Sequence, residues 1–430
     1  MKQVIIAIGL VGLLWSAAAT PVWAQKARAA NAEQTAKPAK KTAASKTASV
    51  PEGLDAERLA RIPDRMKSFV ERGRAAGIVT LLAQRGKVVQ QSVNGVQDLE
   101  SKTPMREDTL FQIASMTKPI TAVGIMILAE DGLLALSDPL EKFLPGFAGV
   151  QIREKKEDSE LEEVRKPTRK PTVRDLLTHT SGMGGGYPKG FEDLFEKRNR
   201  TLAEAADAFH TRYLDFEPGT KWGYSNMGIA ALGRIIEIVS GKSYEDFISE
   251  RIFQPLKMQD SHFFVPESKH SRIATIYKLE DNRLVKSNVD VLRMGAKYPA
   301  PEAGLYSTAP DLFRFYQMML NGGALEGKRI LSKASVDLMT QVHTGELKVG
   351  FSPGVGFGLG WSVVRNVEGT FRGNAMGTFG HGGLWRTFAF VDPQKELIGI
   401  ILMQRVSSDG DMADEINAFC LMASAAVLPK

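Results

Sequence analysis

Apolar positions at Leu54, Leu59, Ile62, Met66, Phe69 and Val70 recur at helical spacing up to the glycines at 73 and 77, which predicts an amphipathic helix. Pro63 is expected to interrupt it early. Ile78–Gln84 and Lys87–Val93 flank Arg85-Gly86 as two strands of a hairpin, and Asn94-Gly95 is expected to close the second. Met116 to Ala129 is apolar nearly all round and stops before Gly132, the profile of a buried helix. The segment 151–170 mixes charges of both signs and reads as a solvated insert. Thr172-Val173-Arg174-Asp175 is a capping box. Helical patterns then dominate from about 202 to 255, with Met227–Val239 ending at Gly241. Thr308-Ala309-Pro310-Asp311 opens a helix to about Leu320. Phe357–Val364, Trp385–Val391 and Glu396–Gln404 read as strands, with Asp392-Pro393 as a turn, and a closing helix is expected from about Asp411 to Val427. Strands at both ends and helices in the middle predict an α/β domain from 51–140 and 300–430, with a mainly helical domain, 141–299, inserted.

The N-terminal end follows another pattern. Lys2, the apolar run Val4 to Ala19 and Val22-Trp23-Ala24 read as a signal peptide, 1–24. The run falls short of the roughly 20 residues a membrane span needs, and no cysteine follows it for lipid attachment. Residues 25–50 are mostly Ala, Lys, Thr and Ser, with little to pack, and read as a flexible leader. That leader changes the meaning of the charge. All of the net +6 sits in Lys2 and in six leader cations set against Glu33, so residues 51–430 are neutral on balance. A basic nucleic-acid-binding face is therefore excluded. Export to the periplasm or beyond is expected, with no stable membrane span once the signal is removed. The single cysteine, Cys420, permits no internal disulfide and sits in an apolar stretch as a small hydrophobe. The six histidines lack metal-ligand spacing, so no metal or other cofactor is expected.

The candidate chemistry centres on Ser115-Met116-Thr117-Lys118, the one Ser-x-x-Lys in the chain. A serine hydroxyl needs a neighbouring base to become a nucleophile. Lys118, three residues on, shares its helical face, and both burial and a helix N-terminus favour the neutral amine that could take the proton. Tyr224-Ser225-Asn226 lies between the turn at Pro218-Gly219 and the helix from Met227. Tyr224 could act as a base if the Lys118 cation lowers its pKa, and Asn226 offers a carboxamide to a substrate. His381-Gly382-Gly383-Leu384 runs into the strand expected at Trp385, where the glycines would let a substrate approach the backbone. The N–H groups of Ser115 and Leu384 could then form an oxyanion hole.

These three motifs, in this order, resemble the serine β-lactamase and penicillin-binding-protein superfamily, in its branch of class C β-lactamases, D-Ala-D-Ala carboxypeptidases and related esterases. Asp175 to Gly182, Gly304 to Leu312 and Phe357 to Trp361 resemble it too. The likeness covers roughly residues 55–428. It implies a β-lactamase-like α/β fold, an antiparallel sheet flanked by helices and built from both chain ends, with an inserted all-helical domain. It also implies Ser115 as nucleophile, Lys118 and Tyr224 as proton-transfer partners, and Asn226 and His381 on the substrate side. One departure stands out. β-Lactamases of this branch usually carry Lys-Thr-Gly where this chain has His381-Gly382-Gly383. A histidine is only partly charged at neutral pH; Arg386 could substitute for the lysine, but it alternates with Trp385 on the expected strand and could face away. Weak β-lactam turnover and better ester or peptide chemistry are expected. A small-molecule ester thus ranks first as substrate, a D-amino-acid peptide second and a β-lactam third.

Other readings fare worse. Gly223-Tyr224-Ser225-Asn226-Met227 fails the α/β-hydrolase pattern at its last position. Gly241-Lys242-Ser243 has Ile236 where a phosphate loop needs glycine. Gly184-Gly185-Gly186 reads as a loop near the site mouth. A binding protein for cell-wall peptide, without turnover, is the rival from another class; three intact motifs argue against it.

Overall fold

The computed structural model describes residues 52–155, 162–368, 372–406 and 413–429. The segments read as signal peptide and leader, 1–24 and 25–50, lie outside the described residues, as does the middle of the charged insert. The sheet at the centre draws its strands from two distant parts of the chain. Gly77–Gln84 (β1), Lys87–Asp98 (β2) and Thr103–Pro104 (β3) come from one. Val355–Phe357 (β4), Ser362–Val364 (β5), Phe379–Gly383 (β6), Thr387–Asp392 (β7) and Leu397–Leu402 (β8) come from the other. Their order is β4-β5-β6-β7-β8-β1-β2-β3, with every pairing antiparallel. The two contributions join at β1 and β8, where Val79 faces Leu402 and Gln84 faces Leu397.

Period-two alternation assigns the strand side chains to two cores. Ile78, Leu82, Leu397 and Ile401 face one layer, with Leu59, Ile62, Met66 and Phe69 of helix Ala56–Glu71 (α1) and Phe419 and Cys420 of the C-terminal helix. Val79, Leu81, Ala83, Ile398, Ile400 and Leu402 face the other, which is shared with helices Lys118–Glu130 (α2), Asn226–Ser240 (α3) and Ala309–Leu320 (α4). Covered on both sides, β1 and β8 are buried at every residue. The C-terminal helix is Asp414–Ala425 (α5), and Cys420 is wholly buried in it.

Local signals were obeyed where they stand on backbone geometry. Arg85 and Gly86 have φ of 49° and 77°, as a two-residue hairpin turn with the twist of its strands requires. Thr172 and Asp175 form the expected capping box, and Gly241 closes α3 in the left-handed conformation. Elsewhere tertiary packing overrode them. α1 runs unbroken through Pro63, because its buried stripe anchors both sides of the proline. β2 continues past Asn94-Gly95 to Asp98; Gly95 (φ 79°) marks a close crossing, where a Cβ would lie 2.2 Å from the Ala76 carbonyl. Phe357–Val364 is two strands folded about Gly360 (φ 83°), rather than one. Trp385 precedes its expected strand, which begins at Thr387. The charged insert pairs Ile152–Lys155 with Glu162–Arg165, and Arg165 bridges Glu154 and Glu217.

Candidate active site

Residues Ala114–Thr117 form one 3-10 turn that runs straight into α2. Ala114 adopts φ of 46°, a conformation that non-glycine residues rarely take. From Thr109 to Leu128, Ser115 alone is not buried. The turn is held by the Thr117 hydroxyl, which donates to the Ala114 carbonyl (2.7 Å) and accepts from the Leu305 N–H (3.2 Å). The turn thus presents the serine to solvent just ahead of a helix that is buried from Lys118 to Leu128.

Lys118, the first residue of α2, is fully buried. Its Nζ lies 3.0 Å from Ser115 Oγ, 2.8 Å from Asn226 Oδ1 and 2.8 Å from the Glu302 main-chain carbonyl. The latter two can only accept. A neutral amine has two N–H donors and one lone pair, so two donors meet two acceptors and the lone pair faces the serine hydroxyl. Burial pulls the Lys118 amine down to about 7, opposed by the charge of Glu302. Geometry and charge agree on an amine that gives up its proton near neutral pH beside the serine hydroxyl.

Tyr224 and Asn226 arrive from the other side. Ser225 caps α3 by accepting from the Gly228 N–H (2.9 Å), which sets Asn226 at the first turn. Asn226 gives its Oδ1 to Lys118, and its NH₂ half carries the donors left for a substrate. Tyr224 is hydrogen-bonded to Ser115, and its ring centroid is 4.7 Å from Lys118 Nζ. Burial raises the phenol above its ordinary value. The expected lowering by Lys118 is therefore not what the structure shows: Tyr224 rests protonated. Beneath it lies His179 (φ 58°), whose ring is 4.6 Å from that of Tyr224 and whose Nδ1 accepts from the Ser225 N–H (3.1 Å). Burial holds this imidazole neutral, as an acceptor must be.

The third motif is itself a strand, β6, paired with β7. Gly383 packs so tightly that a Cβ would lie 2.3 Å from the Ile113 carbonyl. That same carbonyl accepts from the Thr387 hydroxyl (3.0 Å). The glycine therefore serves a close approach of the protein's own backbone just ahead of Ser115, whereas a Cβ on Gly382 would make only ordinary contacts. Leu384, half exposed, follows at the turn beside the nucleophile segment. Arg386 is not on a strand alternating with Trp385. It is a buried turn residue with φ of 64°, its N–H donating to the Gly383 carbonyl (3.1 Å).

His381 is almost wholly buried and stays neutral: burial first, then the Lys118 charge, lower it to about 3. The expected partial charge is absent. Its neighbours are aromatic: Phe351, Tyr224 and Phe357 have ring centroids 6.2, 6.3 and 6.4 Å away. Phe351, half exposed, also meets Trp222 (5.2 Å) and Tyr224 (5.4 Å). The structure thus gathers Ser115, Lys118, Tyr224, Asn226 and His381 around one spot. Phe351, Trp222, His179 and Glu302 belong to it as well. The Thr-His-Thr-Ser-Gly stretch flagged His179 without a role; nothing in the sequence marks Phe351 or Glu302.

Comparison with known proteins follows the same lines. A profile of the family described as Beta-lactamase matches residues 62–419. Protein Rv1367c of Mycobacterium tuberculosis is 33% identical over 359 residues, covering 79% of this chain and 88% of that protein. Esterase EstB of Burkholderia gladioli is 29% identical, covering 83% and 93%. The solved structure of EstCE1, a hydrolase with promiscuous acyltransferase activity, superposes with a TM-score of 0.72 at 23% identity over 87% of this chain and 99% of that one, a likeness of fold. The chain belongs to the Beta-lactamase family of serine hydrolases.

Proposed function

We propose that this hydrolase is a β-lactamase-like carboxylesterase that works through an acyl-enzyme on Ser115. The observation that carries the ester preference is His381, neutral and walled by aromatic rings, where the related β-lactamases usually place a lysine. A neutral group offers no charge to a substrate carboxylate, while Phe351 and Trp222 offer apolar area to an uncharged ester. EstB, an esterase by name, is a relative at 29% identity and supports this reading.

The steps follow from the geometry. Ser115 Oγ forms a bond to the ester carbonyl carbon as its proton passes to the Lys118 lone pair, 3.0 Å away. The carbonyl oxygen becomes an oxyanion, which the N–H groups of Ser115 and Leu384 are proposed to hold. Collapse breaks the bond to the leaving alkoxide, which takes a proton from the protonated Tyr224 hydroxyl beside Ser115; Tyr224 regains one from Lys118. Water then attacks the acyl-enzyme, giving up its proton to the same pair, and Ser115 leaves with a proton restored. The NH₂ of Asn226 orients the acyl group.

Export is part of the proposal: a signal peptide at 1–24 and a leader at 25–50 would place the enzyme in the periplasm or medium. The apolar run from Val4 to Ala19 supports it. N-terminal sequencing of protein recovered from the periplasmic fraction tests it; a chain retaining Met1 would oppose it.

The catalytic test is turnover of a short-chain p-nitrophenyl ester and of a chromogenic cephalosporin by residues 51–430 and by Ser115→Ala. Ester turnover that depends on Ser115, with little cephalosporin hydrolysis, is the expected result. Fast cephalosporin hydrolysis would overturn the ester preference, and stable acylation without release would favour a binding protein.

A further inference from the structure

Beneath the catalytic amine lies a buried acid that the acyl-transfer steps leave unused. Glu302 is wholly buried, and its own main-chain carbonyl accepts from Lys118 Nζ at 2.8 Å. Its carboxyl group is fixed at both oxygens: the Tyr187 hydroxyl donates to Oε1 (2.6 Å) and the Tyr298 hydroxyl to Oε2 (3.1 Å). Two hydroxyl donors on two oxygens match an ionised carboxylate, which only accepts. Both phenols lie far above their ordinary range, through burial first and then the charge of Glu302, so both keep the protons they donate. Unpaired, such a charge would cost several kcal/mol; burial raises the acid above its ordinary value, opposed by the Tyr187 hydrogen bond, by Lys118 when it is protonated and by Arg198.

We propose that Glu302 is a positioning residue for the proton on Lys118, its fixed carboxylate setting the pH at which the amine becomes a free base for Ser115. The inference rests on Lys118 being that base. Two effects oppose each other at Nζ. Burial disfavours the ammonium, and the nearby carboxylate favours it. Without Glu302 the amine would lose its proton at lower pH and be a weaker base for the serine proton. With it, the amine sits near neutrality. The other groups near Lys118 add no negative charge: Tyr224 is protonated, and His179 and His381 are neutral; the deeper Tyr244, in the field of Glu302, is protonated too. Arg198 is buried in the field of Glu302, with its NH1 3.4 Å from the Gly304 carbonyl.

The test is the pH profile of kcat/KM for a p-nitrophenyl ester on residues 51–430. The wild-type rate is expected to rise with pH through about 7 as Lys118 loses its proton. Glu302→Gln keeps the main-chain carbonyl and the shape but removes the charge. Its rising limb is expected to move to lower pH by about one unit or more, with a lower plateau from the weaker base. Tyr187→Phe, which raises the Glu302 pKa by removing one donor, is expected to move the limb the same way by less. A limb that stays in place in folded Glu302→Gln, even at reduced rate, would reduce Glu302 to a space-filling role and overturn the proposal. If that variant does not fold, Tyr187→Phe decides by the same criterion. A wild-type profile flat through neutral pH would sink the role of Lys118, and that of Glu302 with it.

Discussion

The two walls of this site are built on opposite plans. On the Ser115 side, Lys118 is buried at the start of α2 and its hydrogen bonds go to Ser115, Asn226 and the Glu302 carbonyl. On the facing side, β6 and the segment around Phe351 present His381 without charge among aromatic rings, with Phe351 and Leu384 half exposed. Under the proposed mechanism the first wall moves protons and the second meets the substrate, with His381 where the resemblance to β-lactamases implies a lysine. Burial acts on both walls with different results. It makes a lysine into a base because a carboxylate stands behind it, and it makes a histidine inert because none does.

That contrast can be broken at graded cost. Ser115→Ala is expected to abolish ester turnover, a loss on the order of 10⁴-fold or more, and Lys118→Ala nearly as much, because the two act as one unit; near-normal steady-state rates in either would end the mechanism. Tyr224→Phe is expected to lose about 10²- to 10⁴-fold with an unchanged circular dichroism spectrum. A loss of only a few-fold would move all proton transfer to Lys118. On the substrate wall, His381→Lys should shift preference toward a cephalosporin over an ester by about tenfold or more, the worth of a charged hydrogen bond. If the ratio of the two kcat/KM values does not move, the charge of this position is not what separates esterase from β-lactamase here. Phe351→Ala should cost the least: about fivefold in KM for a long-chain ester, from roughly half a phenyl face left unburied, with cephalosporin kinetics unchanged. Equal losses on both substrates would make Phe351 a structural support.

Much of the nucleophile wall was legible because it is local. Three residues on one helical face bring Lys118 to Ser115, and the unbroken apolar run after them announces that the lysine has no water to turn to. The substrate wall was misread at the same level of detail. Trp385 and Arg386 looked like alternating strand residues, yet Gly383 had to approach the Ile113 carbonyl and Thr387 had to bond to it. That pushed the turn two residues along and buried Arg386 in a left-handed conformation. Contacts between positions more than 250 apart in the chain leave no periodicity to read.

Period-two and helical apolar patterns, a two-residue turn at Arg85-Gly86 and the Ser-x-x-Lys spacing are short-range quantities, so the sequence alone determined the main strands, the buried helix and the meeting of Ser115 with Lys118. Protonation states belong to another category. That Tyr224 keeps its proton, that His381 carries no charge and that Lys118 titrates near neutral pH depend on how much water and which charges surround each atom. Those surroundings come from residues such as Glu302, Phe351 and His179, remote in the chain from the groups they act on. Only the tertiary structure decided them, because desolvation and Coulomb interaction act through space and not along the chain.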